Sequence, residues 1–276
     1  MTETLKTCLL VTTPRSGSWW LAEGLDATSL VGLPEEYFEA GTFFTWRDDL
    51  GLPETVPYDT FVREAVAYST TDNGVGGAKM HWSQFQTMAR RLREVDELAE
   101  LSDVELIDRF FPEPHYVHLV RRDKARQAIS YFRAVSSLRW WHLEGEPEAP
   151  EALEPDFVQI RWMEAMLTEQ ENKWQAHLAA HGRPVLDLFY EDILGDRRAA
   201  VTSVLELLGI EPPEDLELSQ SRLRLQRDAV TDEWAARYNE LRPSLPGLPQ
   251  PWRWSRKLRR IYPADEPDPA EPTVTT

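Results

Sequence analysis

Four short β-rich runs separated by helical patterns constrain the fold of this chain more than any other feature. The runs cover residues 6–13, 76–82, 115–121 and 184–190, and each is largely apolar and bounded by proline, glycine or charge. Such runs are typical of strands that are buried on both faces. Strands that alternate with helices form a parallel sheet with helices on both sides. The sequence therefore predicts an α/β fold, a three-layer sandwich with a central parallel sheet flanked by helices.

The helical patterns have recognisable faces and ends. Leu21 and Leu25 share one face after the first run, and Asp123 is placed to cap a helix that ends near Leu138. Further helices are predicted over about residues 157–178 and over residues 197–208, the latter followed by Gly209. Ligands of such sheets bind at the carboxyl ends of the strands. We therefore expect the functional residues in the loops that follow the four runs.

Composition excludes several classes of protein. The 276 residues carry a net charge of −17, which opposes binding to nucleic acid or to an anionic membrane. Cys8 is the one cysteine, so no internal disulfide forms, and no apolar run reaches the length of a membrane span. We expect a cytoplasmic protein with no nucleic-acid partner and no membrane insertion. Residues 1–242 are predicted to form one domain, followed by a Pro/Trp/Arg-rich arm over residues 243–262 and a disordered acidic tail over residues 263–276.

The loop after the first run has the composition of an anion site. Residues 14–20 read PRSGSWW, a tight loop that leads into a helix whose first N–H groups favour an anion. Arg15 adds a guanidinium, and Ser16 and Ser18 add hydroxyl donors around Gly17. The loop lacks the Lys-Ser/Thr pair that a nucleoside-triphosphate P-loop uses with magnesium. It suits a phosphate or a sulfate without a metal, although an ordinary turn with an exposed Arg15 is the alternative.

The loop after the third run begins a locally basic segment. Residues 121–139 contain six basic residues and one acid, a local charge of +5. Arg121 and Arg122 fall at the end of the strand, and Ser130 follows about two helical turns later. These three residues are candidates for a second anion pocket, which would match a nucleotide with phosphates at both ends. The alternative is a solvated helix face, which we expect for Lys124, Arg126 and Arg133.

Together these loops resemble the two phosphate-binding elements of sulfotransferases that use 3′-phosphoadenylyl sulfate (PAPS). Residues 14–20 resemble the 5′-phosphosulfate loop, and residues 121–132, RRDKARQAISYF, resemble the 3′-phosphate element. The chain is most similar to the family typified by trehalose 2-sulfotransferase. Four further blocks agree in order: GLPEEYF at 32–38, GGAKMHW at 76–82, YED at 190–192, and a block at 224–238 that includes Arg227. The resemblance covers residues 9–238.

The resemblance implies a P-loop-like sulfotransferase fold, PAPS as co-substrate, adenosine 3′,5′-bisphosphate (PAP) as product, and no metal. Sulfuryl transfer needs donors on the leaving phosphate, a cation near the bridging oxygen and a base for the acceptor hydroxyl. Arg15 is the candidate cation. By resemblance, Glu36 is the base, and aromatic neighbours are expected to raise its pKa. The nucleotide-binding set is Arg15, Ser16, Gly17, Ser18, Trp19, Trp20, Arg121, Arg122, Ser130 and Arg227.

Three of these assignments are qualified by the sequence. Trp20 is expected to stack on adenine, with a core position as the alternative. Trp19 stands where many relatives have a hydroxyl residue, so one phosphate contact is missing or comes from the backbone. Arg121 is favoured over Arg122 for the 3′-phosphate, because it aligns better with the trehalose-type family. His81 is the rival base, whereas His118 lies within a strand, where a core histidine is the commoner state.

The acceptor is predicted only by class. We expect a small, neutral hydroxyl compound, either a carbohydrate, a lipid-linked molecule or a secondary metabolite. The resemblance and the aromatic arm are also compatible with a homodimer. The acidic stretch 143–156 is either a lid over the acceptor or a solvated loop. A nucleotide-dependent kinase and an inactive nucleotide-binding relative are the alternative functions. The predicted acceptor-binding set is Glu35, Tyr37, Phe38, Lys79, Trp82, Trp140 and Trp141.

Overall fold

A computed structural model describes residues 2–140, 153–214, 216, 218 and 229–245 of the chain. The four predicted runs are strands, each within one residue of the predicted limits at either end. These strands are β1 (Lys6–Thr12), β2 (Val75–His81), β3 (Pro114–Val120) and β4 (Val185–Phe189).

Helices occupy most of the remaining described chain. They are α1 (Ser18–Asp26), α2 (Phe43–Asp49), α3 (Tyr58–Tyr68), α4 (Trp82–Leu92), α5 (Asp103–Phe110), α6 (Lys124–Ser137), α7 (Phe157–His181), α8 (Tyr190–Ile193), α9 (Arg197–Leu207) and α10 (Ala229–Leu241). Short 3₁₀ turns lie at Ala40–Thr42, Asp96–Leu98 and Arg242–Ser244.

Local sequence signals fix the ends of these helices. The Asp123 carboxylate accepts a hydrogen bond from the backbone N–H of Arg126, so α6 begins at the predicted cap. Helix α7 is longer than predicted and continues to His181, where Gly182 in the left-handed region ends it. Helix α9 ends at Leu207, just before Gly209, as the sequence indicates.

The four described strands form one parallel sheet in the order β2-β1-β3-β4. Alternate side chains of β1 point to opposite faces, as the two-residue period of a strand requires. Leu9 and Val11 pack with α3, α4 and α5, whereas Cys8 and Leu10 pack with α1 and α9. Helices therefore cover both faces of the sheet, which confirms the predicted α/β architecture with a central parallel sheet.

A third apolar cluster lies beside the sheet and joins α6, α7 and α10 through residues such as Phe132, Met163 and Trp234. It fixes α6 against α7 and thereby sets the direction of the loop that follows β3. Several predictions fall on residues outside the described part of the chain. They concern Trp141, Arg227, most of the acidic stretch 143–156, most of the arm 243–262 and the tail 263–276. No described helix combines the length and the apolar character that a membrane span needs.

Candidate active site

The loop between β1 and α1 is built around two residues with positive φ. Arg15 has φ 64° and Gly17 has φ 84°, so the chain reverses tightly before α1 begins. Gly17 also lies against the ring of Tyr190, because a Cβ at this position would come within 2.5 Å of the Tyr190 Cδ2 atom. Close packing of Tyr190 and a left-handed backbone together require glycine here. The first residue of α8, directly after β4, thus shapes the loop after β1.

The two predicted anion elements meet in the structure. Arg15 Nε donates a hydrogen bond of 3.1 Å to the hydroxyl of Ser130 on α6. Nη1 of Arg121, which follows β3, donates a hydrogen bond of 3.2 Å to the carbonyl oxygen of Arg15. The guanidinium of Arg121 also lies over the ring of Tyr190, 4.4 Å from its centroid. The carboxyl ends of β1 and β3 therefore place two guanidinium groups side by side.

The electrostatics of this pair favour an anion. Burial lowers the pKa of Arg15 to about 10, and the positive charge of Arg121 contributes to that shift. Arg15 is still protonated at neutral pH, and Arg121 is 9 % exposed. Two like charges held in a poorly solvated place repel each other, and a phosphate or sulfate between them would relieve that repulsion.

Buried polar groups hold the loop in place. The Thr12 hydroxyl donates to the Leu119 carbonyl oxygen at 2.7 Å and lies 2.5 Å from the Ser16 hydroxyl, so Thr12 holds Ser16 in place between β1 and the loop. Gln127 on α6 donates from its amide nitrogen to the Thr13 hydroxyl and to the Pro14 carbonyl oxygen, at 2.9 Å and 2.8 Å. Ser18 is buried at the first position of α1. Gln127 was not selected from the sequence as a site residue, although it lies inside the segment resembling the 3′-phosphate element.

Four of the other five basic residues in the segment 121–139 are paired with acids or hydroxyl groups. Arg122 is exposed and forms two hydrogen bonds with Asp192, at 2.6 Å and 2.8 Å. Lys124 is paired with Glu171, and Arg126 with Asp232. Arg133 donates to the Thr231 hydroxyl. The local charge of +5 is therefore largely neutralised at these positions, and the geometry favours Arg121 over Arg122 as the ligand of an anion.

The segment that carries Glu36 lies against the edge strand β2. The backbone N–H of Lys79 donates to the Glu35 carbonyl oxygen at 3.0 Å. Gly32, at φ 77°, touches the backbone of β2, because a Cβ there would come within 2.5 Å of the Gly77 nitrogen. Gly32 in the block 32–38 and Gly77 in the block 76–82 thus allow the backbones of these two segments to approach closely. This contact brings Glu36 to the carboxyl end of β2.

Glu36 is the centre of a polar cluster. Its Oε1 lies 3.1 Å from Lys79 Nζ, and its Oε2 lies 3.8 Å from His81 Nδ1. The amide nitrogen of Gln84 donates to Glu36 Oε2 at 2.7 Å and to Glu39 Oε2 at 2.9 Å. Both candidate bases, Glu36 and His81, are therefore neighbours. Gln84 was missed in the sequence, although Gln three residues after a helix cap is a known capping signal.

The electrostatics of the cluster correct one expectation. Burial opposes the ionisation of Glu36, but the charges of His81 and Lys79 and the hydrogen bonds from Gln84 and Lys79 outweigh it. The pKa of Glu36 is therefore lowered, and the prediction that its aromatic neighbours raise it is wrong. Burial lowers the pKa of His81, although the charge of Glu36 opposes the shift. Burial raises the pKa of Glu35, and the charge of Lys79 opposes it.

Several predicted acceptor residues belong to the protein interior instead. Tyr37 and Phe38 are buried in the core, where Tyr37 packs against Trp46 and Phe38 against Phe111. Trp82 is buried against Trp174, at 5.0 Å between ring centroids. These side chains pack in the protein interior beneath the Glu36 cluster and do not line the surface of the site. His118 is a core histidine, as predicted, and its Nδ1 is 2.8 Å from Asp187 Oδ1.

The tryptophans of the loop occupy different places. Trp19 is 42 % exposed, and its ring lies over the ammonium group of Lys79. Trp20 packs at the edge of the apolar cluster on the α1 side, with the Arg197 guanidinium over its ring. The carbonyl oxygen of Trp140 accepts a hydrogen bond from Arg15 Nη1, so Trp140 lies beside the loop. Tyr190, which packs on Gly17 and Arg121, is a further site residue that the sequence indicated only as part of the YED block.

The structure thus brings together Arg15, Ser16, Gly17, Ser18, Arg121 and Ser130 on one side, and Glu36, Lys79 and His81 on the other, with Trp19 between them. Neither group resembles a metal centre: within the described ranges, no three His, Cys, Asp or Glu side chains are arranged to hold a metal ion. A guanidinium pair, a helix start and an ionised carboxylate instead suit an anionic donor and an acceptor that must lose a proton.

Comparison with known proteins places the chain among sulfotransferases. The model of the Stf0 sulphotransferase family matches residues 7–241. The chain is 30 % identical to the trehalose 2-sulfotransferase of Mycobacterium tuberculosis, over 90 % of this chain and 100 % of that protein. It is 28 % identical to the trehalose 2-sulfotransferase of Mycolicibacterium smegmatis, over 83 % and 93 % of the two chains.

Solved structures give weaker matches. A sulfotransferase from Alicyclobacillus acidocaldarius is 14 % identical and superposes with a TM-score of 0.48, over 87 % of this chain and 93 % of that one. The sulfotransferase domain of the Synechococcus PCC 7002 olefin synthase is 15 % identical, with a TM-score of 0.44 over 95 % of both chains.

Proposed function

Since the chain belongs to the Stf0 sulphotransferase family, we propose that it transfers a sulfuryl group from PAPS to a hydroxyl of a small neutral acceptor. Membership of the family makes it an O-sulfotransferase; the donor, the acceptor class and the role of each residue are the proposal. One observation carries it: Arg121 donates to the backbone of Arg15 while the side chain of Arg15 reaches Ser130. The residues proposed for the two phosphates of the nucleotide thus form one continuous surface.

The donor fits the residues at this surface. The β1–α1 loop would hold the 5′-phosphosulfate through Arg15, the hydroxyls of Ser16 and Ser18, and the first N–H groups of α1. Arg121 and Ser130 would hold the 3′-phosphate. We assign adenine stacking to Trp20 and a supporting role to Tyr190, which shapes Gly17. Arg122 is left outside this set because it is paired with Asp192 at the surface.

Sulfuryl transfer to a hydroxyl requires one proton acceptor and one cation. PAPS supplies an activated sulfuryl group whose transfer resembles phosphoryl transfer, with the acceptor oxygen and the leaving phosphate in line. We propose that Glu36 accepts the proton of the acceptor hydroxyl. At the same time the acceptor oxygen forms a bond to sulfur, and the bond from sulfur to the bridging oxygen of PAPS breaks. Arg15 is assigned to stabilise the negative charge that grows on the leaving phosphate. His81, beside the same carboxylate, remains the alternative base.

The acceptor proposal follows from the relatives and from the charge of the protein. Two relatives are trehalose 2-sulfotransferases, so a carbohydrate is the first class to test. Leu33, close to Glu36 in sequence, is 37 % exposed and apolar, and it would suit an acceptor with an apolar part. The net charge of −17 disfavours a strongly anionic acceptor.

The function is tested by binding and turnover with the same preparation. Isothermal titration with PAP is expected to show one tight site per chain in the absence of magnesium. Incubation with labelled PAPS and a panel of sugars, glycosides and phenols is expected to label at least one neutral hydroxyl compound. No PAP binding would reject the donor assignment. PAP binding with no labelled product from any class would favour a nucleotide-binding protein without transferase activity.

A further inference from the structure

Trp19 lies between the proposed donor loop and the Glu36 cluster. It follows Gly17 and Ser18 in the first turn of α1, and the centroid of its ring is 3.9 Å from Lys79 Nζ. Lys79 is fully buried, and the same Nζ atom lies 3.1 Å from Glu36 Oε1. The indole therefore covers the ammonium group that holds the proposed base.

The neighbouring tryptophan has a different environment. Trp20 packs against the apolar cluster on the α1 side, with Arg197 over its ring at 5.3 Å. Successive helix positions point about 100° apart, so Trp19 and Trp20 face different parts of the molecule. Trp19 keeps 42 % of its surface exposed although its ring also contacts a buried lysine. A large flat apolar surface is thus presented to solvent at the edge of the catalytic cluster.

The chemistry of an indole decides what this surface suits. Its single N–H donor and lack of charge make it a poor ligand for a phosphate, compared with a hydroxyl or an arginine. Its face is instead a packing surface for an apolar ring or for the C–H face of a sugar. Small-molecule pockets commonly combine such aromatic walls with a few polar groups that fix orientation. Here the polar groups are Glu36, Lys79 and His81.

We propose, as an extension of the function proposed above, that Trp19 binds the acceptor and selects for ring-bearing alcohols. The ring of the acceptor packs on the indole, and its hydroxyl then lies towards Glu36. Trp19 thereby belongs to the acceptor side of the site, although it follows the donor loop directly in the sequence. An open-chain polyol offers no ring face to pack and is a poorer acceptor.

The test separates acceptor binding from donor binding. The unaltered protein, Trp19→Phe and Trp19→Ser are titrated with PAP, and the PAP-loaded proteins are then titrated with trehalose, 4-nitrophenol and sorbitol at millimolar concentrations. Initial rates with PAPS give KM and kcat for each acceptor that reacts. Trp19→Ser is expected to weaken the ring-bearing acceptors by about tenfold in binding and KM, as expected for the loss of one aromatic contact. Trp19→Phe retains most of the acceptor affinity. PAP binding is not weakened in either variant, and the new hydroxyl in Trp19→Ser leaves PAP affinity equal or higher, because many relatives have a hydroxyl residue at this position.

Phe44→Ala is the matched control, because Phe44 is also an exposed aromatic residue but lies on α2, outside the cluster. It is expected to change neither PAP nor acceptor binding. A parallel loss of PAP affinity in Trp19→Ser would assign the residue to the donor loop and overturn the inference. Equal acceptor KM in all three proteins would also overturn the inference. So would an unaltered protein that binds sorbitol but neither trehalose nor 4-nitrophenol, or that binds none of the three probes. Failure of the unaltered protein to bind PAP would reject the proposed function itself, and the inference with it.

Discussion

Nη1 of Arg121 donates a hydrogen bond to the carbonyl oxygen of Arg15 at 3.2 Å. The two residues are 106 positions apart and follow neighbouring strands of the sheet. The hydrogen bond fixes one guanidinium against the backbone of the loop that carries the other. A single anionic ligand could therefore be held by both, and its affinity should depend on Arg121 far more than on the adjacent Arg122.

Arg121→Ala is expected to weaken PAP binding by about 10- to 150-fold, because a hydrogen bond to a charged group contributes about 1.5–3 kcal/mol. Arg122→Ala is the matched control, since Arg122 pairs with Asp192 at the surface. It is expected to change PAP affinity by less than about threefold. Isothermal titration of both variants measures the difference. Equal losses, or a larger loss in Arg122→Ala, would contradict the assignment.

Glu36→Gln is expected to lower kcat by about 10²–10⁴-fold, the usual contribution of a general base, with PAP affinity nearly unchanged. Glu39→Gln alters the other carboxylate that contacts Gln84 and serves as the control, with a much smaller effect. Steady-state rates with PAPS and a saturating acceptor measure both variants. If His81→Gln costs more than Glu36→Gln, the histidine is the base.

The pH dependence of turnover gives a second test of which residue is the general base. The lowered pKa of Glu36 keeps its carboxylate ionised below the ordinary range for glutamate. We therefore expect kcat/KM to remain flat from about pH 8 down to about pH 5 and to fall only at lower pH. A fall that already begins within this range, below the ordinary histidine pKa of about 6.5, would point to a neutral histidine as the proton acceptor.

Gly17→Ala is expected to destabilise the protein and to abolish most PAP binding, because the new Cβ would collide with Tyr190 and occupy a left-handed backbone. Gly182→Ala provides the comparison, since Gly182 has φ 64° but no heavy atom of a neighbouring residue within 4 Å of where a Cβ would lie. That variant should lose only about 1 kcal/mol of unfolding free energy, with normal PAP affinity. Urea unfolding and titration together distinguish the backbone cost from the collision.

His177 is expected to make the folded protein less stable at acid pH. Burial, with a smaller contribution from the charge of His181, lowers its pKa to about 4, from an ordinary value of 6.5. The unfolded chain therefore binds a proton that the folded protein excludes, and stability falls as the pH drops from about 6.5 towards about 4. The loss is at most about 3 kcal/mol. Urea unfolding at several pH values measures the free energy of unfolding as a function of pH. This free energy should depend less on pH in His177→Gln, and an equal pH dependence would show that His177 does not cause the loss of stability.

The fold was accessible from sequence because its signals are local. Short apolar runs with charged, glycine or proline ends are typical of buried strands, and Asp123 caps its helix through contacts within four residues. The parallel sheet then follows from alternation, and it places the loops after β1 and β3 at one edge. Resemblance to sulfotransferases added the roles that we propose for Glu36 and for the two phosphate elements.

The assignment of single side chains needed the tertiary structure, because it depends on residues far apart in the sequence. Adjacent arginines look equivalent in a sequence, but Asp192 draws Arg122 to the surface while Tyr190 and the Arg15 backbone hold Arg121 inside. Neighbouring aromatic residues suggested a raised pKa for Glu36, but Lys79 and His81 lower it. The sequence determined the sheet and the edge at which we propose that the reaction takes place. Packing across strands decided which charges meet there, because electrostatic energies depend on distance and burial rather than on order along the chain.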